Sequence, residues 1–216
     1  MQDKFKGIGD NRVSRCNRVI EFVGNTPLLE LSRIAEEVAP VRIFAKAEWF
    51  NPGGSVKDRP ALNMILEAKK SGQLNKNKVI LDATSGNTGI AYAMIGAALG
   101  FQVTLAVPGN LGDQHRKILK GYGADLAFSS PTEGSDGAIR LARKLAKERP
   151  DLYYYVDQYN NPANWMAHYN GTGLEILEQT DGAVTHYVAG LGTSGSFIGT
   201  GKRLKKEKNN VRLISF

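Results

Sequence analysis

The run Asn51-Pro52-Gly53-Gly54-Ser55-Val56-Lys57-Asp58-Arg59 joins a strand-like segment to a helix-like one, and it puts a lysine where a cation is electrostatically out of place. Residues 41–49 form the apolar segment before it. Residues 56–71 form an amphipathic segment after it, stopped at Gly72. Pro52, Gly53 and Gly54 make the turn, and Ser55 has the side chain of an N-cap. Lys57 then falls in the first turn of the helix, at the positive end of its dipole. A lysine held there and partly desolvated loses its proton more readily. A neutral amine is the nucleophile that forms a Schiff base with an aldehyde. Taken alone, the run reads more simply as a surface helix carrying a solvated lysine. Two further glycine loops change that balance.

Working outward, strand-like segments fall at 41–48, 79–83, 103–107, 125–129, 153–157, 185–189 and 211–216. Helix-like segments fall between them at 56–71, 87–99, 112–122, 134–148, 162–178 and 195–207. The alternation predicts an α/β fold with a largely parallel sheet. Upstream, Gly24-Asn25-Thr26-Pro27 is a turn followed by a short extended piece, Leu28-Leu29-Glu30-Leu31, and residues 1–11 read as a loose tail. The sharpest internal punctuation is the polar run Arg149-Pro150-Asp151. The last apolar run, 211–216, reads as a buried strand with no helix after it, which suggests a shortened chain.

Composition narrows the function classes. The chain has 216 residues and is 42% hydrophobic, enough for one large domain or two small ones. No apolar run is long enough to span a membrane, and the first 18 residues lack a signal-peptide core. Cys16 is the single cysteine, which fits a reducing compartment and a cytoplasmic protein. His115, His168 and His186 are too far apart for a metal site, so no metal is expected. Six basic residues and one acid between Lys202 and Arg212 contribute +5 of the net charge of +7. With no aromatic platform or nucleic-acid motif beside it, that patch reads as a solvated helix end rather than a nucleic-acid site.

The second glycine loop, Ala83-Thr84-Ser85-Gly86-Asn87-Thr88-Gly89, follows a strand. It opens a helix that is small and apolar nearly all round, with Gly89, Ala91, Gly96 and Ala97 suited to close packing. Its hydroxyls, amide and backbone N–H groups make an anion site without fixed positive charge, which suits a carboxylate. A helix cap is the simpler account, but the donor cluster exceeds what a cap needs. The third loop, Gly190-Leu191-Gly192-Thr193-Ser194-Gly195-Ser196, again sits between strand and helix, the arrangement that holds a phosphate. It also spells G-x-G-x-x-G, a weak dinucleotide signal here. Neither loop contains the Gly-Lys-Ser/Thr of a Walker A motif. An imine-forming lysine, a carboxylate cradle and a phosphate cradle at the carboxyl edge of a sheet together suit an amino acid joined to pyridoxal phosphate.

Gly24-Asn25-Thr26-Pro27-Leu28, Asn51 to Arg59, Thr84 to Gly89 and Gly192 to Ser196 closely resemble the cysteine synthases (O-acetylserine sulfhydrylases) of the fold-type II, tryptophan synthase β-like, pyridoxal-phosphate enzymes. Asp157-Gln158-Tyr159-Asn160-Asn161-Pro162-Ala163-Asn164, followed by His168-Tyr169, is most similar to the B-type and O-phosphoserine-using branches. The resemblance runs from about residue 18 to the end. It implies a two-domain α/β protein of mostly parallel sheets flanked by helices, lacking the family's C-terminal part. Residues 47–156 would form a smaller mobile domain. Residues 12–46 with 157–216 would form an incomplete larger one that binds the cofactor.

The resemblance also implies roles. Lys57 would bind the cofactor covalently and remove the substrate α-proton. Asn87 would hydrogen-bond the cofactor's 3′ oxygen. Thr84, Ser85, Asn87 and Thr88, with Gln158, would hold the substrate carboxylate, and Gly192, Thr193, Ser194, Gly195 and Ser196 the cofactor phosphate. The implied reaction is β-replacement on O-acetylserine or O-phosphoserine by sulfide or a thiol. The implied partners are a second copy, as a homodimer, and the C-terminus of serine acetyltransferase. The family's partner for the pyridine nitrogen lies in the part this chain lacks. The rivals are a cystathionine β-synthase-type β-replacement, a nucleotide-dependent oxidoreductase using residues 190–195, a non-catalytic binding homologue, and last a nucleic-acid role for residues 202–212.

Overall fold

The computed structural model describes residues 19–84 and 86–216; the 1–11 tail, Cys16 and Ser85 lie outside the described residues. The strands are β1 (Leu28–Glu30), β2 (Phe44–Lys46), β3 (Val79–Ala83), β4 (Val103–Pro108), β5 (Asp125–Ser129), β6 (Tyr153–Tyr155), β7 (His186–Ala189) and β8 (Arg212–Ser215). The α-helices are α1 (Ser32–Ala35), α2 (Asp58–Lys70), α3 (Asn87–Leu99), α4 (Asp113–Gly121), α5 (Gly134–Glu148), α6 (Pro162–Ala167), α7 (Gly173–Gln179) and α8 (Gly195–Glu207). The fold is α/β. A parallel four-stranded sheet runs in the order β5-β4-β3-β6 and a parallel pair is formed by β7 and β8, while β1 and β2 make an antiparallel ribbon.

Alternation along the strands explains how the four-stranded sheet is covered. Ile80, Val103, Leu105 and Val107 enter one apolar cluster with Ala91 and Ile95 of α3 and Met64 and Ile65 of α2. Leu81, Ala83 and Ala106 enter a second cluster with Ala138 and Ala142 of α5. Helix α3 is buried from Thr88 to Gly96, and a Cβ at Gly96 would overlap Val103 Cγ2. Ala97, expected in that packed face, is exposed. Gly100 ends α3 in the left-handed region, φ 74°, the usual C-terminal place for glycine. A third cluster, Ile176, Leu204 and Val211, joins α7 and α8 to β8.

Several expected features come out differently. Ser55 is not the N-cap. Helix α2 begins at Asp58 with Lys57 in the cap position, while Ser55 Oγ accepts the Lys57 N–H at 3.2 Å. The cause is Asp58, whose carboxylate reaches back to the Gly53 N–H at 2.5 Å and fixes the turn two residues further along. The strand expected at 41–48 shrinks to β2, because the chain from Glu48 to Phe50 closes into a 3-10 turn that aims Glu48 inward. The helix expected at 162–178 is broken into α6, a π-helical turn His168–Thr172, and α7. Gly171 and Gly173 flank Thr172 there, and the buried His168 Nδ1 lies 2.9 Å from Thr172 Oγ1 across the widened turn.

The three loops therefore do not leave one sheet. The lysine loop links the antiparallel ribbon to α2, the second loop follows β3, and the third follows β7 in the separate pair. What ties the lysine loop down is a buried cluster of charges. Arg59 Nε and Nη2 donate to Glu48 at 2.7 and 2.9 Å, and Nη1 and Nη2 donate to Glu175 at 2.6 and 2.8 Å. Lys46 Nζ donates to Glu175 Oε2 at 2.5 Å and to the Thr26 carbonyl at 2.6 Å. Asn51 Nδ2 donates to Glu48 Oε2 at 2.8 Å, and Asn51 Oδ1 accepts the Gly24 N–H at 2.8 Å. Burial pushes Glu175 up, but the hydrogen bonds from Arg59 and Lys46 outweigh it and hold the carboxyl at about 2.

A second buried carboxyl braces β3 just before the second glycine loop. Asp82 accepts from the Ala83 N–H at 2.8 Å, the Tyr92 hydroxyl at 2.8 Å and the Gln158 N–H at 3.2 Å. Burial still pushes it up to about 7. Asp58 is likewise pushed up by burial, to about 6.

Two predictions follow from these groups. Arg59→Ala leaves Glu48 and Glu175 buried without their shared partner; we expect a loss of about 3–5 kcal/mol in urea unfolding. Arg59→Lys recovers only part of it, because the two-sided fork is lost. The second prediction concerns pH. A carboxyl whose folded pKa is raised stabilises the fold below its unfolded value and loses that contribution as pH rises through the folded value. Asp82 acts this way from about 4 to 7, and Asp58 from about 4 to 6. His168, depressed by burial to about 4, runs the opposite way, losing its contribution as pH falls from 6.5. Glu175 loses its contribution only toward pH 2. Between pH 6.5 and 8 the unfolded imidazole of His168 and the tail of Asp58 still titrate, but equally in parent and variant, so the difference between parent and Asp82→Asn isolates Asp82. The urea midpoint falls more with rising pH in the parent than in Asp82→Asn.

Candidate active site

The carboxyl ends of β3 and β7 and the start of α2 converge on a cavity of about 210 Å³. Of the residues expected from sequence, Lys57, Thr84, Asn87, Thr88, Gln158, Gly192 and Thr193 line it. Ser194, Gly195 and Ser196 do not line it; they form the cap and first turn of α8 behind Thr193. Ser85 lies outside the described residues.

Among the described residues, Lys57 is the only cationic side chain that lines the cavity, and no carboxylate lines it. Burial pushes its amine down from the usual lysine range, so the neutral, nucleophilic form is easier to reach. A Cβ at Gly192 would lie 4.0 Å from Lys57 Nζ, which places the amine against the third glycine loop. The cap position of Lys57 adds the positive end of the α2 dipole to the same effect.

The second loop divides its work. Thr84 Oγ1 accepts the N–H groups of Gly86 at 3.3 Å and Gly89 at 3.2 Å, so this hydroxyl serves as a local cap for α3. Asn87 is exposed and Thr88 is buried at the start of that helix. Asn87 and Thr88, which open α3, belong to the cavity wall. Gln158 is buried, with Nε2 donating to the Ala83 carbonyl at 2.9 Å.

The third loop is crowded from behind. Ser194 caps α8 in the left-handed region, φ 64°. A Cβ at Gly195 would overlap Asn164 Oδ1, a buried oxygen without a hydrogen-bond partner. Residues expected in the site thus include some whose identity is set by packing. Others that line it were not expected: Ser135, Ala138 and Ile139 from the start of α5, and Tyr159 beside Gln158. The signal for Ser135 was present in Gly134, a breaker between β5 and a helix, since every such junction in a parallel sheet lies at the same edge.

Pyridoxal phosphate fits this donor set. An amine of depressed pKa faces a loop whose glycines admit close approach, hydroxyls and helix N-termini supply neutral donors, and among the described residues no lining carboxylate opposes a phosphate. Lys57 would hold its aldehyde, and the 192–196 loop with the start of α8 its phosphate.

The basic run after residue 201 is engaged locally. Lys202 lies over the Trp165 ring at 4.2 Å and Arg203 over Tyr169 at 5.2 Å. Lys208 donates to the Gly182 carbonyl at 2.6 Å. Among the described residues no helix is long and apolar enough to cross a membrane.

Comparison with known proteins agrees with the geometry. The chain is 54% identical over 198 residues to a cysteine synthase of Aquifex aeolicus, covering 91% of this chain and 61% of that one. It is 41% identical over 198 residues to cysteine synthase B of Salmonella typhimurium, covering 92% and 64%. A crystal structure of a cysteine synthase from Entamoeba histolytica superposes with a TM-score of 0.88 at 38% identity, over 97% of this chain and 63% of that one. The chain thus spans less than two thirds of the length of these relatives. The family described as pyridoxal-phosphate dependent enzyme matches residues 19–215, which sets aside a dinucleotide role for the third loop. By that match and by the residues gathered on one cavity, this chain belongs to the pyridoxal-phosphate dependent enzyme family.

Proposed function

We propose that the cavity serves β-replacement on an activated serine, with sulfide or a thiol as the incoming nucleophile. The observation that carries this reading is the meeting of Lys57 with Thr84, Asn87, Thr88 and Gln158 on one side and Gly192 and Thr193 on the other. Bound pyridoxal phosphate supplies an electron sink for the carbanion formed at the substrate α-carbon. The chain's own residues do the rest. Lys57 carries the amine that anchors the cofactor and then takes the α-proton. The 84–88 loop and Gln158 hold the substrate carboxylate, and Asn87 orients the cofactor ring. Residues 192–196 hold the phosphate.

O-acetylserine and O-phosphoserine are the candidate substrates. Relatives of similar fold include hydrogen sulfide-producing enzymes of Fusobacterium nucleatum and an O-ureido-L-serine synthase, so leaving group and nucleophile vary around this scaffold. We further propose that 47–156 moves as the smaller domain against 12–46 and 157–216. All of β3 to β6 fall inside the first range, and the other strands fall in the second.

The test is the visible absorption spectrum of the purified chain with pyridoxal phosphate, beside Lys57→Ala. We expect a visible band in the parent and none in the variant. Each acylated or phosphorylated serine is then added with sulfide or homocysteine, which separates cysteine synthesis from a cystathionine β-synthase-type reaction. A band without turnover supports a binding role only. A folded parent with no Lys57-dependent band overturns the proposal.

A further inference from the structure

The loops carrying Gln158 and Thr193 belong to different sheets. Gln158 follows β6 of the four-stranded sheet and Thr193 follows β7 of the separate pair, and no strand ladder joins the two. Their spacing is set by the packing of α6 on α8 and by side chains between the loops. Asn164, on α6 and only 5% exposed, reaches both: Nδ2 donates to the Gln158 carbonyl at 2.7 Å and to Thr193 Oγ1 at 3.0 Å. Both hydrogens of the amide are thereby used. Its Oδ1 is unpartnered against Gly195, and a flipped amide would turn that oxygen toward the Gln158 carbonyl, so the orientation is fixed. The platform beneath it is firm. Asn161 caps α6 by accepting the Ala163 N–H at 3.0 Å and donates from Nδ2 to the Val156 carbonyl at 2.9 Å. Asn63 of α2 donates to the Ala163 carbonyl at 2.7 Å. On the α8 side, a Cβ at Gly199 would overlap the Trp165 carbonyl, so the two helices meet backbone to backbone.

We propose that Asn164 is a positioning residue that fixes the distance between the substrate-carboxylate loop and the cofactor-phosphate loop. The inference rests on the reading of those loops given above. A ligand that must place one anion in each cradle is then selected by its length as well as its charges.

Asn164→Leu keeps the side chain's size and removes both donors; Asn164→Ala serves if the leucine variant does not fold. Hydrogen exchange on the cofactor-free protein is the first readout. The segments 157–160 and 192–196 exchange faster together in the variant, while β3 and β4 keep their protection. Loosening of one segment alone, or of neither, overturns the clamp. The second readout is affinity for pyridoxal phosphate against pyridoxal, which lacks the phosphate. The advantage of the phosphorylated form falls about five- to tenfold, as for loss of one or two neutral hydrogen bonds, and pyridoxal affinity is unchanged. An equal loss for both aldehydes means general damage and overturns the proposal. If the parent binds both aldehydes alike and independently of Lys57, the reading of the site fails, and exchange alone decides the clamp.

Discussion

Two cations and two carboxylates buried together hold this molecule's site in place. Arg59, Lys46, Glu48 and Glu175 balance to zero charge. Arg59 sits between the two carboxylates with its side chain only 4% exposed. Such a cluster gains little over apolar packing of the same volume, because desolvation opposes the attraction. What it adds is directional. The guanidinium engages Glu48 on one edge and Glu175 on the other, and Thr26, Asn51 and Asn25 hang their backbone and side chains from the same oxygens. The turn at 24–26, the lysine loop and α7 are thereby aligned, and Lys57 lies two residues from the arginine that aligns them.

The same economy of parts governs the amine. The charge on Lys57 is disfavoured by what surrounds it. Burial disfavours its charge, the start of α2 disfavours it further, and among the described residues no carboxylate lines the cavity to restore it. The buried Asp82 and Asp58 are held back from the cavity wall, each engaged by backbone N–H groups.

Local grammar explains which parts were legible in the sequence. The helices at 87–99, 134–148 and 195–207 and the strands at 79–83 and 125–129 are bounded by glycines, prolines or sharp changes of period, and they stand where those signals put them. The cavity-lining residues of the glycine loops were legible because each loop sits between a strand and a helix. What could not be read was anything that depends on distant partners. Arg59 and Glu175 are 116 positions apart, and nothing near either announces the other. The start of α2 was misplaced for a related reason, since Ser55 has the chemistry of a cap but Asp58 has the better reach to Gly53. The division into separate sheets was hidden too, because a parallel strand carries no mark of which neighbour it will choose.

That division gives the cavity the mechanics of a seam. Within each sheet, separating strands breaks a ladder of backbone hydrogen bonds. Across the line where Gln158 faces Thr193, the described bonds are those of a single amide. The walls at that line are joined by side-chain bonds and helix packing, so they can part without breaking any strand ladder.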